Sequence, residues 1–148
     1  MAKLHYEDIE VGEVRDLGSY RAPEDELMAF AERYDPQPIH VSEAAARESI
    51  HDGIIASGWY TASVCMRLLV DGFLNDAASM GSFGLDELRW RAPVRPGDTI
   101  TVRNEITDKR ESESRDDRGY VENELTAHNQ NGEEVVFWRA TNIFGKRP

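Results

Sequence analysis

Two ionisable side chains five residues apart, Asp35 and His40, stand in the segment YDPQPIH, with Pro36 and Pro38 between them. A carboxylate can accept a proton, and an imidazole with a reference pKa of about 6.5 can give or take one near neutrality. Held on either side of one water, the two could deprotonate it for attack and pass a proton onward as a coupled pair. Sequence alone leaves open which of the two acts first. A fully extended span of five residues would part the Cα atoms by up to about 17 Å, so the segment must curl. The prolines restrict its uncurling, which is the preorganisation that proximity catalysis needs. The structural alternative is an Asp that caps a helix end and a His satisfied within a loop.

The elements around this pair can be read from pattern. PEDELMAFAERYD (23–35) predicts a helix: Pro23 suits its first position, and Glu24, Asp25 and Glu26 suit the positive end of its dipole. Leu27, Phe30, Ala31 and Tyr34 form one apolar stripe, and Pro36 disfavours helical conformation at Asp35. VSEAAARES (41–49) predicts a short second helix with Ser42 as N-cap. ASGWYTASVCMRLLVDGFL (56–74) predicts a third, longest helix, apolar on nearly every face and so expected to be buried, with Gly72 as its stop.

Strands dominate after Ser79: GSFGLDELRWRAPV (81–94), DTITVRNEITDKRES (98–112), GYVENELTAHNQ (119–130) and EEVVFWRATNIFG (133–145), with another short one near EVRDLGSYRA (13–22). Ile100, Val102 and Ile106 lie at period-two positions, as do Phe137, Arg139, Thr141 and Ile143, with Asn104 and Arg139 interrupting the apolar pattern. PVRPGD, DDRG and QNG read as the turns between strands. The order predicts an α+β fold, an antiparallel sheet wrapped around a long central helix: the hot-dog fold. Its lone sheet leaves an edge strand in need of a partner, so a homodimer, or a higher oligomer of dimers, is expected.

Length and charge bound the function. The 148 residues suit a single domain, 1–148, large enough for a core without metal or disulfide staples. A net charge of −11 argues against non-specific nucleic-acid or anionic-membrane binding. No apolar run is long enough to span a bilayer, and the N-terminal MAKLHYEDIEVGE lacks a secretory apolar region. With one Cys and no export signal, the cytoplasm is the expected setting.

FAERYDPQPIHVSEAAARES followed by GIIASGWYTASVCMRLLVD resembles the MaoC-like dehydratases, which include the (R)-specific enoyl-CoA hydratases, and RWRAPVRPGDTI is similar to that family's strand-turn-strand segment. The resemblance runs from about Leu27 to Ile106, carried by three motifs in order. It implies paired hot-dog subunits acting on acyl-CoA or related acyl thioesters, with reversible addition of water to a 2-enoyl thioester and no cofactor or metal. It implies that Asp35 and His40 are the catalytic dyad and that the Gly58 backbone N–H holds the thioester carbonyl. The family favours Asn where this chain has Gln37, and often His where it has Ser57. A hot-dog acyl-CoA thioesterase and a non-catalytic acyl-CoA-binding or regulatory subunit are the alternatives.

The remaining candidates are weighed residue by residue. At a helix start the Gly58 N–H is an unpaired donor suited to a developing oxyanion; close helix packing is the other reason for a glycine there. Gln37, Ser57 and Ser63 are candidate substrate contacts. Ser57 otherwise serves as a helix cap and Ser63 as a small residue in a packed helix. His5, His51 and His128 lack metal-ligand spacing and read as ordinary polar positions, and Cys65 reads as core. Arg67, Arg89, Arg91 and Arg95 could meet CoA phosphates but read mostly as surface arginines.

Overall fold

Leu27 and Ala31 form the buried stripe of the first helix, α1 (Glu24–Tyr34), which ends where Pro36 forbids another turn. Asp35 adopts φ −154° and ψ 65°, outside the helix. A computed structural model describes residues 3–148. The segment read as a kinked loop then coils again at once. Pro38–Val41 make a single helical turn, α2, opened by Pro38 and closed by a Ser42 N–H to Pro38 O bond of 2.9 Å. α3 (Glu43–Glu48) follows, its first turn capped by Ser42 Oγ, which accepts the Ala45 N–H at 3.2 Å.

The long helix, α4, spans Gly58–Gly72 and is shorter than the apolar run that announced it. Residues 54–57 before it lie outside any helix or strand and are buried, and Leu74–Asp76 after it form a 3-10 turn. α4 buries Tyr60, Thr61, Val64, Cys65 and Leu69. It is not buried all round: Trp59 and Met66 are 56% and 43% exposed. Tyr60 Oη donates to Glu26 Oε1 at 2.8 Å and ties α4 to α1. Burial pushes the Cys65 thiol up to about 12, in keeping with a core position.

Five strands form one antiparallel sheet: β1 (Val14–Arg21), β2 (Ser79–Trp90), β3 (Thr99–Glu111), β4 (Arg118–His128) and β5 (Glu134–Gly145). Their order is β1-β3-β4-β5-β2. The β3–β4 and β4–β5 links are hairpins, while PVRPGD is no hairpin turn. It carries the chain from the β2 edge across to β3, because β2 pairs only with β5. With α4 inside the curve of this sheet, the architecture is the hot-dog fold.

The inner face of the sheet is set by alternation. β3 buries Ile100, Val102, Asn104 and Ile106, as its period-two pattern foretold. β5 is one residue out of phase with the reading above: Val136, Trp138, Ala140, Asn142 and Phe144 face inward, and Phe137, Arg139, Thr141 and Ile143 face out. Both faces of β5 carry apolar side chains, and the inward Asn142 disguised the core side. Outside, Arg91 and Arg139 lie over the Phe137 ring at 5.5 and 5.8 Å. No helix among the described residues is long and apolar enough to cross a membrane.

Candidate active site

The buried segment 54–57 places the chemistry. It is strapped on one side by Ile55 N–H to Ile39 O (3.3 Å) and on the other by Ala56 N–H to Val94 O (2.7 Å). It therefore runs between α2, which carries His40, and the β2–β3 crossover. The Ile55 carbonyl meets His40 Nδ1 at 2.7 Å. A carbonyl oxygen only accepts, so Nδ1 carries a proton and Nε2 is the ring nitrogen turned toward Asp35. That nitrogen stands 3.3 Å from Asp35 Oδ2, with His40 5% exposed.

Asp35 is gripped on both oxygens. Gln37 Nε2 donates to Oδ1 at 2.7 Å, and Ser57 Oγ donates to Oδ2 at 2.7 Å. The Gln37 hydrogen bond first, then that from Ser57, and His40 nearby hold the carboxyl below its usual range against the opposing effect of burial. Asp35 is thus kept ionised, and its Oδ2 faces His40 Nε2 at a distance where the two groups can share a proton and jointly contact a water at their edge.

A cavity of about 270 Å³ opens beside His40. Gly58, Thr61, His51, Trp90 and Pro93 contribute to its wall. Gly58 is the first residue of α4, so its N–H has no partner within the helix. Its lack of a side chain has a steric cause as well: a Cβ there would lie 2.3 Å from the Trp90 ring. Close packing and an available N–H thus coincide at one residue.

The other sequence candidates separate. Ser57 is fully buried and turned to Asp35; it also accepts the Trp59 N–H at 3.3 Å, so it caps α4 and grips the carboxylate together. Gln37 likewise faces Asp35, and neither it nor Ser57 lines the cavity. Ser63 Oγ donates to Trp59 O at 2.7 Å and borders a different groove, between α4 and the β2–β5 side of the sheet. Of the four arginines, Arg91 reaches the cavity wall, while Arg67 pairs with Asp71 and Arg89 with Glu87. Arg95 donates to His51 O at 2.6 Å. His51 on the cavity wall, the Ile55 carbonyl and Trp90 had no sequence signal of their own, because each reaches the site through tertiary packing.

The model of the MaoC like domain matches residues 8–129. The chain belongs to the MaoC-like dehydratase family. It is 30% identical over 145 residues to the uncharacterized protein YdeM of Bacillus subtilis, covering 97% of this chain and 100% of that one. It is 33% identical over 106 residues to a 3-hydroxybutyryl-CoA dehydratase of Methylorubrum extorquens, covering 71% of this chain and 65% of that protein. The crystal structure of a MaoC-like dehydratase from Rhodospirillum rubrum superposes with a TM-score of 0.87 at 38% identity, over 98% of this chain and 99% of that one. In this MaoC-like protein Asp35, His40 and Gly58 lie within the matched residues, as do the residues lining the cavity apart from Val135.

Proposed function

We propose that this MaoC-like protein is an enoyl-thioester hydratase/dehydratase, adding water reversibly to a 2-enoyl acyl-CoA or related thioester. The observation that carries the reading is the convergence of Asp35 Oδ2 and His40 Nε2, 3.3 Å apart, with His40 on the wall of a cavity that also holds the start of α4. A water hydrogen-bonded to this pair presents its lone pair to the β-carbon of the substrate. As the oxygen adds there, the dyad takes one proton and returns one to the α-carbon, so that the sum is H and OH across the double bond. The Gly58 N–H, at the positive end of α4, receives the charge that builds on the thioester oxygen. Acid–base help of this kind contributes about 10²–10⁴ in rate, and one oxyanion donor about 10²–10³.

The working unit in this reading is a homodimer. β2 is an edge strand with one ladder and carries exposed Met80, Phe83 and Leu85, of which Leu85 shares a groove with the exposed Trp59 and Met66 of α4.

The test is the loss of conjugated-thioester absorbance when the protein meets short- and medium-chain 2-enoyl-CoAs. Hydration is expected, falling by about 10²-fold or more in Asp35→Asn and in His40→Ala. Full activity in both variants would remove the dyad. Release of free CoA thiol without hydration would assign the cavity to hydrolysis instead.

A further inference from the structure

Three asparagines cross the inner face of the sheet on a diagonal: Asn104 on β3, Asn123 on β4 and Asn142 on β5, exposed by 1%, 1% and 9%. Their amides touch in series, with N···O distances of 2.6 Å between Asn104 and Asn123 and 2.6 Å between Asn123 and Asn142. Amide oxygen and nitrogen exchange places by a flip of the side chain, so these contacts establish a relay while leaving its direction to be argued from the ends.

At the inner end stands Arg15, the register partner of Asn104, with its guanidinium 4.4 Å from the Phe73 ring centroid. Its Nη1 lies 2.7 Å from Glu13 Oε2 but lacks the alignment of a hydrogen bond. With the relay donating inward, Asn104 Nδ2 is a buried donor with no acceptor, on the residue paired with a donor-only cation. With all three amides reversed, both 2.6 Å contacts survive and Asn104 turns its carbonyl toward the Arg15 side. The amide dipoles then all point away from the cation, and a free N–H emerges at Asn142.

Asn142 lines the groove of about 330 Å³ between α4 and the β2–β5 side of the sheet, whose walls are otherwise mainly apolar, including Trp59, Met66, Leu85 and Trp138. The groove adjoins the cavity: Trp59 on its wall meets Trp90 of the cavity edge to face, with centroids 5.1 Å apart. Met66 lies eight residues beyond Gly58 on α4, about 12 Å along the axis.

We propose that this groove receives the tail of the acyl group, and that the Asn142 end of the relay selects medium-chain acyl thioesters whose far end carries a neutral carbonyl oxygen. The inference rests on the acyl-thioester reading above. An oxygen there accepts the Asn142 N–H, whereas a plain hydrocarbon end strips that donor of water and returns nothing, and sites built to hydrogen-bond discriminate strongly against ligands lacking the partner.

The experiment compares binding of decanoyl-CoA and of 9-oxodecanoyl-CoA by calorimetry, in the wild type and in Asn142→Leu. The wild type is expected to prefer the oxygenated tail by about tenfold or more, and Asn142→Leu to lose that preference. Where Asn142→Leu does not fold, the side-chain amide resonances of wild-type Asn142 decide, shifting with the oxygenated tail and not with decanoyl-CoA. Equal binding of the two thioesters, a preference that survives in Asn142→Leu, or amide resonances indifferent to the tail overturns this inference alone. Binding of neither thioester overturns the acyl-thioester reading and this inference with it.

Discussion

Ser57 Oγ donates to Asp35 Oδ2 at 2.7 Å while accepting the N–H of Trp59, so one hydroxyl caps the central helix and grips the carboxylate of the proposed dyad. Removing it has two separable consequences. Ser57→Ala should cost about 0.5–2 kcal/mol of stability through the lost cap, read from denaturant midpoints. It should also let the Asp35 carboxyl rise toward its usual range, since the Ser57 hydrogen bond is among the groups holding it down. The acid limb of the kcat/KM profile for enoyl-CoA hydration should therefore move to higher pH. A purely structural role would lower stability and leave that limb in place.

Asp35 itself links stability to pH. Its folded pKa lies below the unfolded reference of about 3.9. A depressed carboxylate contributes stability that is fully present above the unfolded pKa and is lost as pH falls through the folded one. Wild type should thus be more stable than Asp35→Asn at neutral pH by a margin that is flat down to about pH 5 and narrows below about pH 4. Urea unfolding of both proteins at pH 7 and pH 3 measures it. A margin that widens on acidification contradicts the assigned hydrogen bonds.

How far these relationships were legible beforehand follows from their range along the chain. The stop of α1 at Pro36 and the Ser42 cap are local, and both stand where spacing put them. The alternation of β3 survived one inward Asn, whereas β5 has apolar residues on both faces and the inward Asn142 tipped the reading to the wrong one. PVRPGD has turn chemistry, but nothing in it says whether the next strand lies beside the last or across the sheet. The run of apolar residues on α4 includes those that a lone chain leaves uncovered, so composition overstated its burial. The Ile55 carbonyl is a backbone group and carries no residue signature at all, although it sets the tautomer of His40. Composition likewise hid the relay, because each Asn looks like an isolated break until neighbouring strands bring all three together.

Gly58 and Trp90 provide a steric test of the helix start. A Cβ at position 58 would lie 2.3 Å from the Trp90 ring, so Gly58→Ala should displace that ring or the start of α4 and cost about 1–3 kcal/mol. The backbone N–H is still present in the variant. Trimming the ring in Gly58→Ala/Trp90→Leu should therefore recover part of the hydration rate that Gly58→Ala loses, although Trp90→Leu alone is harmful because it removes part of the cavity wall. Positive coupling in this double-mutant cycle, read in both unfolding and kcat/KM, is the expected result. Strict additivity would mean that the glycine is not there to admit Trp90.

Phe83 tests the proposed homodimer without touching either cavity. It is 66% exposed on β2, the edge strand whose free side offers unpaired backbone groups, and it lies among Met80 and Leu85 in an apolar stretch. A stable dimer buries roughly 1,200–2,000 Å² in total, and this edge strand with its exposed apolar side chains is the surface proposed to contribute to it. Phe83→Glu adds like charge on both copies of an already acidic chain of net charge −11. Sedimentation should show wild type as a dimer and Phe83→Glu shifted to monomer at micromolar concentration, with the far-UV spectrum unchanged because the side chain is largely outside the core. A dimer that persists undiminished in Phe83→Glu, or a monomeric wild type, places the contact elsewhere or removes it.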